Sequence, residues 1–257
     1  YIDTPSDVDY VQSFLQEYDV RHGLDGMEKV RSLLSILPIL KRDEGRTVVV
    51  KYGGSALGAE AATDTTLQDV AALRMVGVRV VLVHGGGKHI TALLDKLQVP
   101  TRFENGYRYT DQAVLETAEM ALSAQVNKAI VSRLSQLEVS AVGLSGKDGG
   151  LLTAVEKDPA LGRVGSITRV EPRILQTLLD GDFLPVVSPI AAGEDGGGFN
   201  CNADDAARAV AAALGADKLI FLTDTAGVLI DSHNSKTAVP HMDVKRAEEL
   251  IDTGLIA

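Results

Sequence analysis

The stretch Thr47-Val48-Val49-Val50-Lys51-Tyr52-Gly53-Gly54-Ser55 decides the reading of the fold. Its four β-branched residues, bounded by glycine, read as a strand buried on both faces. Lys51 sits at the strand's carboxyl end. It is either a charge snorkelling to the surface or a cation aimed at something anionic above the sheet. Gly53 and Gly54 let the backbone come close to such an anion with amides free to point at it. A second stretch repeats the design: Val80-Val81-Leu82-Val83 runs into His84-Gly85-Gly86-Gly87-Lys88, where a helical pattern begins. Glycine amides at a helix amino terminus favour an anion, because unpaired N–H groups and the helix dipole act together. Alone, each stretch reads equally well as a tight βα turn. Open α/β sheets bind ligands at the carboxyl ends of their strands, so the two turns facing one crevice suggest a polyanion.

Composition narrows the function classes. A chain of 257 residues, 45% apolar, supports one large α/β domain or two lobes. No apolar run reaches the roughly 20 residues of a membrane span. A formal charge of −10 argues against a nucleic-acid partner, which would want a basic face. The single cysteine, Cys201, cannot form an internal disulfide. The five histidines show no ligand spacing, so no metal-ligating residue is assigned. Asp3, Asp7 and Asp9 make the start unlike a signal or transit peptide.

Along the chain, residues 1–26 read as an amino-terminal extension without an assigned role, with a short helix carrying Val11, Phe14 and Leu15. Residues 27–45 form a separate unit, an amphipathic helix with Met27, Val30, Leu33, Leu34 and Leu37 on one face and a kink at Pro38. That helix either packs on its own domain or projects to a neighbouring subunit. Strands are predicted over 47–52, 79–83, 140–144, 183–187 and 218–222, and helices over 64–76 and 88–97. A long helix is predicted from Asp111 to about Leu137, capped by Thr110. Asn105-Gly106 signals a tight hairpin that returns Arg108 between two tyrosines. A further hairpin is predicted across 151–170, then a helix opened by Pro172. Ala191 to Gly198 reads as a flexible loop, and Asn200-Cys201-Asn202-Ala203-Asp204 as the start of an alanine-rich helix. Strands alternating with helices imply a mostly parallel sheet with helices on both faces.

Polar residues at the loop positions carry the chemistry. Arg108 can hold a carboxylate through two parallel hydrogen bonds, or it makes a surface salt bridge. Asn200 and Asp204, four apart, would face the same way on a helix. Alternatively, Asp204 complements the dipole while Asn200 or Asn202 caps. Lys147-Asp148 and Thr223-Asp224 stay similarly open, though Asp224 after a parallel strand suits a nucleotide or metal. The chain has no GxxxxGK[ST], no G-x-S-x-G elbow and no G-x-G-x-x-G after a strand. A P-loop enzyme, a serine esterase and a dinucleotide oxidoreductase are all disfavoured.

The segments KYGGSA from Lys51, VLVHGGG from Val81, NGYRYTD from Asn105, AVGLSGKDG from Ala141, NCNADDAA from Asn200 and KLIFLTDTAGVL from Lys218, in this order, resemble the amino acid kinase family. Within it they are most similar to the branch that phosphorylates N-acetyl-L-glutamate. The resemblance runs from about Met27 to Ala257. It implies a three-layer αβα sandwich around a mainly parallel central sheet, in two lobes. The first, 46–195, would bind the acyl amino acid, and 196–257 would begin the nucleotide-binding lobe.

By the same resemblance the γ-carboxylate of N-acetyl-L-glutamate attacks the γ-phosphorus of ATP, the second step of arginine biosynthesis. Lys51 and Asp204 match the catalytic pair. Gly86, Gly87, Arg108 and Asn200 match the substrate-binding set, and Lys51, Gly53, Gly54, Thr223 and Asp224 the nucleotide-binding set. Mg2+ would accompany ATP. The family pattern continues past Ala257 with a segment bearing a second catalytic lysine, and a protein ending at Ala257 is expected to be severely impaired. The helix before the first strand resembles that of arginine-inhibited members, with Ile39 where those often carry tyrosine. It implies L-arginine as feedback inhibitor and a homo-oligomer, a dimer or a trimer of dimers. In oxygenic phototrophs, members of this branch also have the PII signalling protein as a partner. The implied location is cytoplasmic, or the plastid stroma in a photosynthetic eukaryote. Two neighbours compete. The kinase-like domain of N-acetylglutamate synthase generally lacks the lysine found at Lys51. An acetylaminoadipate-type kinase of lysine synthesis differs by a methylene, which a pocket discriminates by only ~1–3 kcal/mol.

Overall fold

Strand β1 (Thr47–Tyr52) sends alternate side chains to opposite faces of a sheet, and each face carries buried valine. Val49 joins one core cluster, whereas Val48, Val50 and Tyr52 join another. A strand buried on both sides needs layers on both sides, and the rest of the chain supplies them. The computed structural model describes residues 42–53, 60–223, 227–231, 234 and 237–256. The expectations for residues 1–41, Pro38 and Ile39 among them, and for Gly54 and Asp224, lie outside the described residues.

After β1 come α1 (Glu60–Met75), β2 (Arg79–His84), α2 (Gly87–Leu97), β3 (Phe103–Glu104) and β4 (Tyr107–Arg108). One continuous helix follows: α3 (Gln112–Glu119), a π-helical turn (Met120–Val126) and α4 (Asn127–Gln136). The remaining elements are β5 (Ala141–Ser145), β6 (Leu152–Glu156), β7 (Val164–Val170), α5 (Arg173–Asp180), β8 (Leu184–Ser188), β9 (Ile190–Gly193), β10 (Gly198–Cys201), α6 (Ala203–Leu214), β11 (Lys218–Leu222) and α7 (Val244–Asp252). The central sheet has the order β11-β1-β2-β8-β5 with every neighbour parallel. Leu67 and Val70 of α1 and Ile130 and Leu134 of α4 cover one face. Leu175 and Leu179 of α5 and Ala206, Ala207 and Val210 of α6 cover the other. The result is the expected three-layer α/β sandwich. β11 pairs with β1 in this one sheet, so it continues across the boundary drawn at residue 195.

Three local expectations need correction. Ala191 to Gly198 is not a loose loop: β9 and β10 pair antiparallel there, Ala191 opposite Phe199 and Ala192 opposite Gly198. They close a small barrel-like sheet with β6 and β7, in the order β10-β7-β6-β9. Small residues are required where those strands pack: a Cβ on Gly165 would lie 2.6 Å from Phe199 Cβ. The cap of α3 is Asp111, not Thr110. The Asp111 carboxylate accepts from the Val114 amide at 2.9 Å, whereas the Thr110 hydroxyl donates to the Arg108 carbonyl. Finally, Asn200 and Cys201 end strand β10, and α6 begins only at Ala203. The hairpin at Asn105-Gly106 is as expected, with φ of 49° and 80° at those two residues. Among the described residues no helix is long and apolar enough to cross a membrane.

Candidate active site

The carboxyl ends of β1 and β2 open into a cleft of about 450 Å3, within the range of small-molecule sites. Lys51, Gly53 and Asp204 line it on one side, and Gly86, Gly87 and Arg108 on another. Lys51 comes from β1 and Asp204 from α6, yet Nζ and Oδ1 lie 3.1 Å apart. The Lys51 side chain is 13% exposed and that of Asp204 53%. Asn202, not Asn200, caps the helix that presents Asp204, its Oδ1 accepting from the amides of Asp204 at 2.7 Å and Asp205 at 3.1 Å. Asp204 therefore complements the dipole and also holds the lysine. Lys51 folds back over Gly53 so closely that a Cβ there would meet Nζ at 2.8 Å.

The second turn is built differently. Gly86 has φ 152° and a Cβ on it would lie 2.6 Å from Leu122 Cδ2, so both its conformation and its surroundings demand glycine. Its carbonyl accepts from Ile90 N at 3.0 Å, which starts α2, while its own N–H has no acceptor among the described residues. Arg108 is 93% buried, being 7% exposed. Its guanidinium donates to Thr101 Oγ1 at 2.9 Å, Thr91 Oγ1 at 2.7 Å and Gly87 O at 3.2 Å, and stacks on Phe103 at 4.6 Å. All of these partners are neutral, and Arg108 forms no ion pair among the described residues. Burial lowers its pKa from the ordinary value, but a guanidinium stays charged in proteins. Asp95 acts on it only through space, and a buried cation whose hydrogen-bond partners are all neutral suits an incoming carboxylate.

Asn200 reaches the same cleft from strand β10, its Nδ2 donating to Thr110 Oγ1 at 3.5 Å. The expected helical spacing with Asp204 is thus replaced by a strand-to-helix junction that still brings both to one wall. Thr223 leaves β11 exposed and does not line the cleft. Lys147 and Asp148 are engaged locally, Lys147 with Glu119 at 2.6 Å and Asp148 with the Ser145 amide at 2.8 Å. Cys201 also borders the cleft, but burial pushes its thiol up to about 12, so it is protonated at neutral pH and no nucleophile. Among the described residues no three His, Cys, Asp or Glu are placed to hold a metal.

Sequence reasoning missed Lys88, Thr91, Phe103 and Tyr107 in the cleft wall. Thr91 had a signal: it lies four after Gly87, on the same helical face, and its hydroxyl bonds the Gly87 carbonyl at 3.0 Å. Tyr107 flanks Arg108 on the hairpin and is covered by the Lys157 ammonium at 4.7 Å.

Relatives share this span. The acetylglutamate kinase of Nostoc punctiforme is 45% identical over 229 residues, which cover 89% of this chain and 77% of that protein. That of Campylobacter jejuni subsp. doylei is 44% identical over 87% of this chain and 80% of its own length. Among solved structures, smu.665 from Streptococcus mutans superposes with a TM-score of 0.70 at 31% identity, covering 82% of this chain and 84% of that one. N-acetylglutamate synthase from Neisseria gonorrhoeae gives a TM-score of 0.72 at 23% identity over 87% of this chain and 51% of that one, a likeness of fold alone. The profile of the amino acid kinase family matches residues 46–257. Profile and relatives agree over the stretch that builds the sheet and its cleft, and the chain belongs to the amino acid kinase family.

Proposed function

We propose that the chain catalyses ATP-dependent phosphorylation of the γ-carboxylate of N-acetyl-L-glutamate, giving N-acetyl-L-glutamyl 5-phosphate for arginine biosynthesis. The acetylglutamate kinases aligned over nearly nine-tenths of it support this reading. The observation that carries it is the pairing within one cleft of Arg108, whose hydrogen-bond partners are all neutral, with the Lys51–Asp204 ion pair. Arg108, with Asn200 beside it, holds the substrate's α-carboxylate. The γ-carboxylate is already ionised at pH 7 and needs no general base to attack. Lys51 draws the transferring phosphoryl group toward the nucleophile, and Asp204 keeps the lysine in place. The Gly53 and Gly86 turns bring amides to the phosphates and the reacting carboxylate. Gly54, Gly87, Thr223 and Asp224 complete the substrate and nucleotide sets. Phosphoryl transfer demands positioning and charge neutralisation above all, and this cleft offers both. Magnesium would be carried on the phosphates of ATP, as that ion commonly is.

The kinship supports finer features of the same reading: inhibition by L-arginine, a homo-oligomer built on the helix of residues 27–45, binding of PII, and a cytoplasmic or stromal location. Lobes at 46–195 and 196–257 divide acyl amino acid from nucleotide. An arginine dose–response curve and the mass of the assembly in solution check the first two. The primary test is ATP turnover by the full-length protein with N-acetylglutamate, glutamate, aspartate and N-acetyl-aminoadipate in parallel. N-acetylglutamate is expected to be the preferred acceptor by a wide margin. Preference for N-acetyl-aminoadipate, or no turnover with any acceptor, overturns the reading.

A further inference from the structure

The cleft's glycine turn rests on a buried polar pair that the proposed chemistry does not use. His84, the last residue of β2, is fully buried, as is Asn127, the first residue after the π-helical turn. His84 Nδ1 donates to the carbonyl of Gly85 at 2.8 Å. Its other nitrogen, Nε2, faces Asn127 Nδ2 at 3.2 Å. The two hydrogens of that amide are shared among three acceptors, Nε2, Val186 O at 2.9 Å and Leu144 O at 3.3 Å, while Asn127 Oδ1 accepts from Lys128 at 3.2 Å. Turning the amide over would set its oxygen against two carbonyls, so Asn127 presents N–H to the ring and Nε2 must accept. The ring is therefore the Nδ1–H tautomer, and burial agrees by lowering its pKa to about 4.

Two further features show that this arrangement is built. The carboxamide of Asn127 occupies the space a Cβ on Gly143 would take, so Gly143 admits it. The π-helical turn immediately before Asn127 packs on the glycine turn, with Leu122 Cδ2 at 2.6 Å and Val126 Cγ2 at 3.4 Å from the position of a Gly86 Cβ. Such turns shift the helical register and recur at functional sites.

We infer that His84 is a positioning residue: by holding the Gly85 carbonyl toward the core, it aims the Gly86 amide at the anion bound in the cleft. The carbonyl of Gly85 and the N–H of Gly86 belong to one peptide group and point in opposite directions. A carbonyl drawn to the buried ring leaves the N–H on the side of the cleft, and that N–H has no acceptor among the described residues. Glycine at 85 and 86 makes the peptide free to rotate, and the ring removes that freedom. The role rests on the phosphorylation proposed above.

Two isosteres separate the ring's two bonds. His84→Asn places an amide near Nδ1, keeping a donor for Gly85 O and losing the link to Asn127. His84→Gln places its amide near Nε2, keeping the link to Asn127 and losing the donor. The full-length wild type is assayed first with N-acetylglutamate, and the variants are made in the same full-length protein. Given turnover there, His84→Gln is expected to lose about tenfold or more in kcat, and His84→Asn to retain much the larger share, whatever their order in melting temperature. Activity that follows melting temperature across the two variants, or equal kcat in both, overturns the positioning role and leaves the phosphorylation standing. A wild type without turnover removes the phosphorylation instead. Ring nitrogen-15 spectra at pH 7 then decide the ring's part: a protonated Nδ1 and bare Nε2 are expected, and the reverse tautomer overturns it.

Discussion

Lys51 and Arg108 bring the same charge to the same cleft, but in opposite states of readiness. Lys51 arrives already paired, its ammonium 3.1 Å from a carboxylate that is itself half in solvent. Arg108 is more deeply buried and touches only hydroxyls, a carbonyl and an aromatic ring. The carboxylate of that pair is half open to solvent, so phosphates entering the cleft can compete with it for the lysine. A buried guanidinium that bonds no anion, with Asp95 acting on it only through space, stays under-compensated until one arrives. The two sites therefore divide the work. Arg108 belongs to ground-state recognition of a carboxylate, and Lys51 to charge that moves during transfer.

Substitutions can break this division. The largest effect is expected from Lys51→Met, which should lower kcat by roughly 100- to 1,000-fold with little change in affinity for the acyl amino acid. Initial-rate kinetics beside calorimetric titration measure the two separately. Next, Arg108→Ala should raise KM for N-acetylglutamate by roughly 30-fold or more, since losing one partner of a buried charge pair costs about 2–5 kcal/mol. Arg108→Lys should rescue it poorly, because a point charge cannot reproduce contacts to Thr91, Thr101 and Gly87 together. A kcat effect from Arg108 equal to that from Lys51 would erase the contrast. Gly53→Ala should act more mildly, displacing the Lys51 ammonium from a 2.8 Å approach. Its kcat should fall about tenfold, with a melting temperature close to wild type because the displaced atoms end a flexible side chain.

The last expectation is read in stability rather than in activity and concerns the glycine wall between the two cations. His84 has a folded value of about 4 against 6.5 for the free ring, with Lys128 and His89 adding repulsion to burial. The unfolded chain thus binds the extra proton between those values. The contribution is full above pH 6.5 and is lost as the pH falls toward 4, amounting to roughly 3 kcal/mol. Denaturant melts at pH 7 and pH 4.5 should show this loss in wild type and much less of it in His84→Asn.

Much of this fold was legible because glycine punctuates β-branched runs. The valines of 47–50 and 80–83 announced strands buried on both faces, and Asn105-Gly106 announced a turn with two positive φ values. Half of the small four-stranded sheet was legible as the hairpin over 151–170, which β6 and β7 form, but its closure by β9 and β10 was not. Its strands β9 and β10 hold only four residues each, rich in alanine and glycine. Their pairing depends on contacts that composition does not encode. For the same reason Asn200 looked helical: a four-residue strand runs almost directly into the Asn202 cap. The π-helical turn left no local trace either, being set by packing of Leu122 and Val126 on Gly86. Lys51 and Arg108 could be read from position, whereas the difference in their partners required the folded chain.

The most direct test of that difference is rapid-quench measurement of acid-labile acyl phosphate formed from γ-labelled ATP and N-acetylglutamate. Wild type and Lys51→Met are compared with substrate binding followed in parallel. Wild type should form the acyl phosphate, and Lys51→Met should form it at least about 100-fold more slowly while binding N-acetylglutamate as tightly. Equal rates of acyl phosphate formation in the two proteins would contradict the assignment of transfer to Lys51.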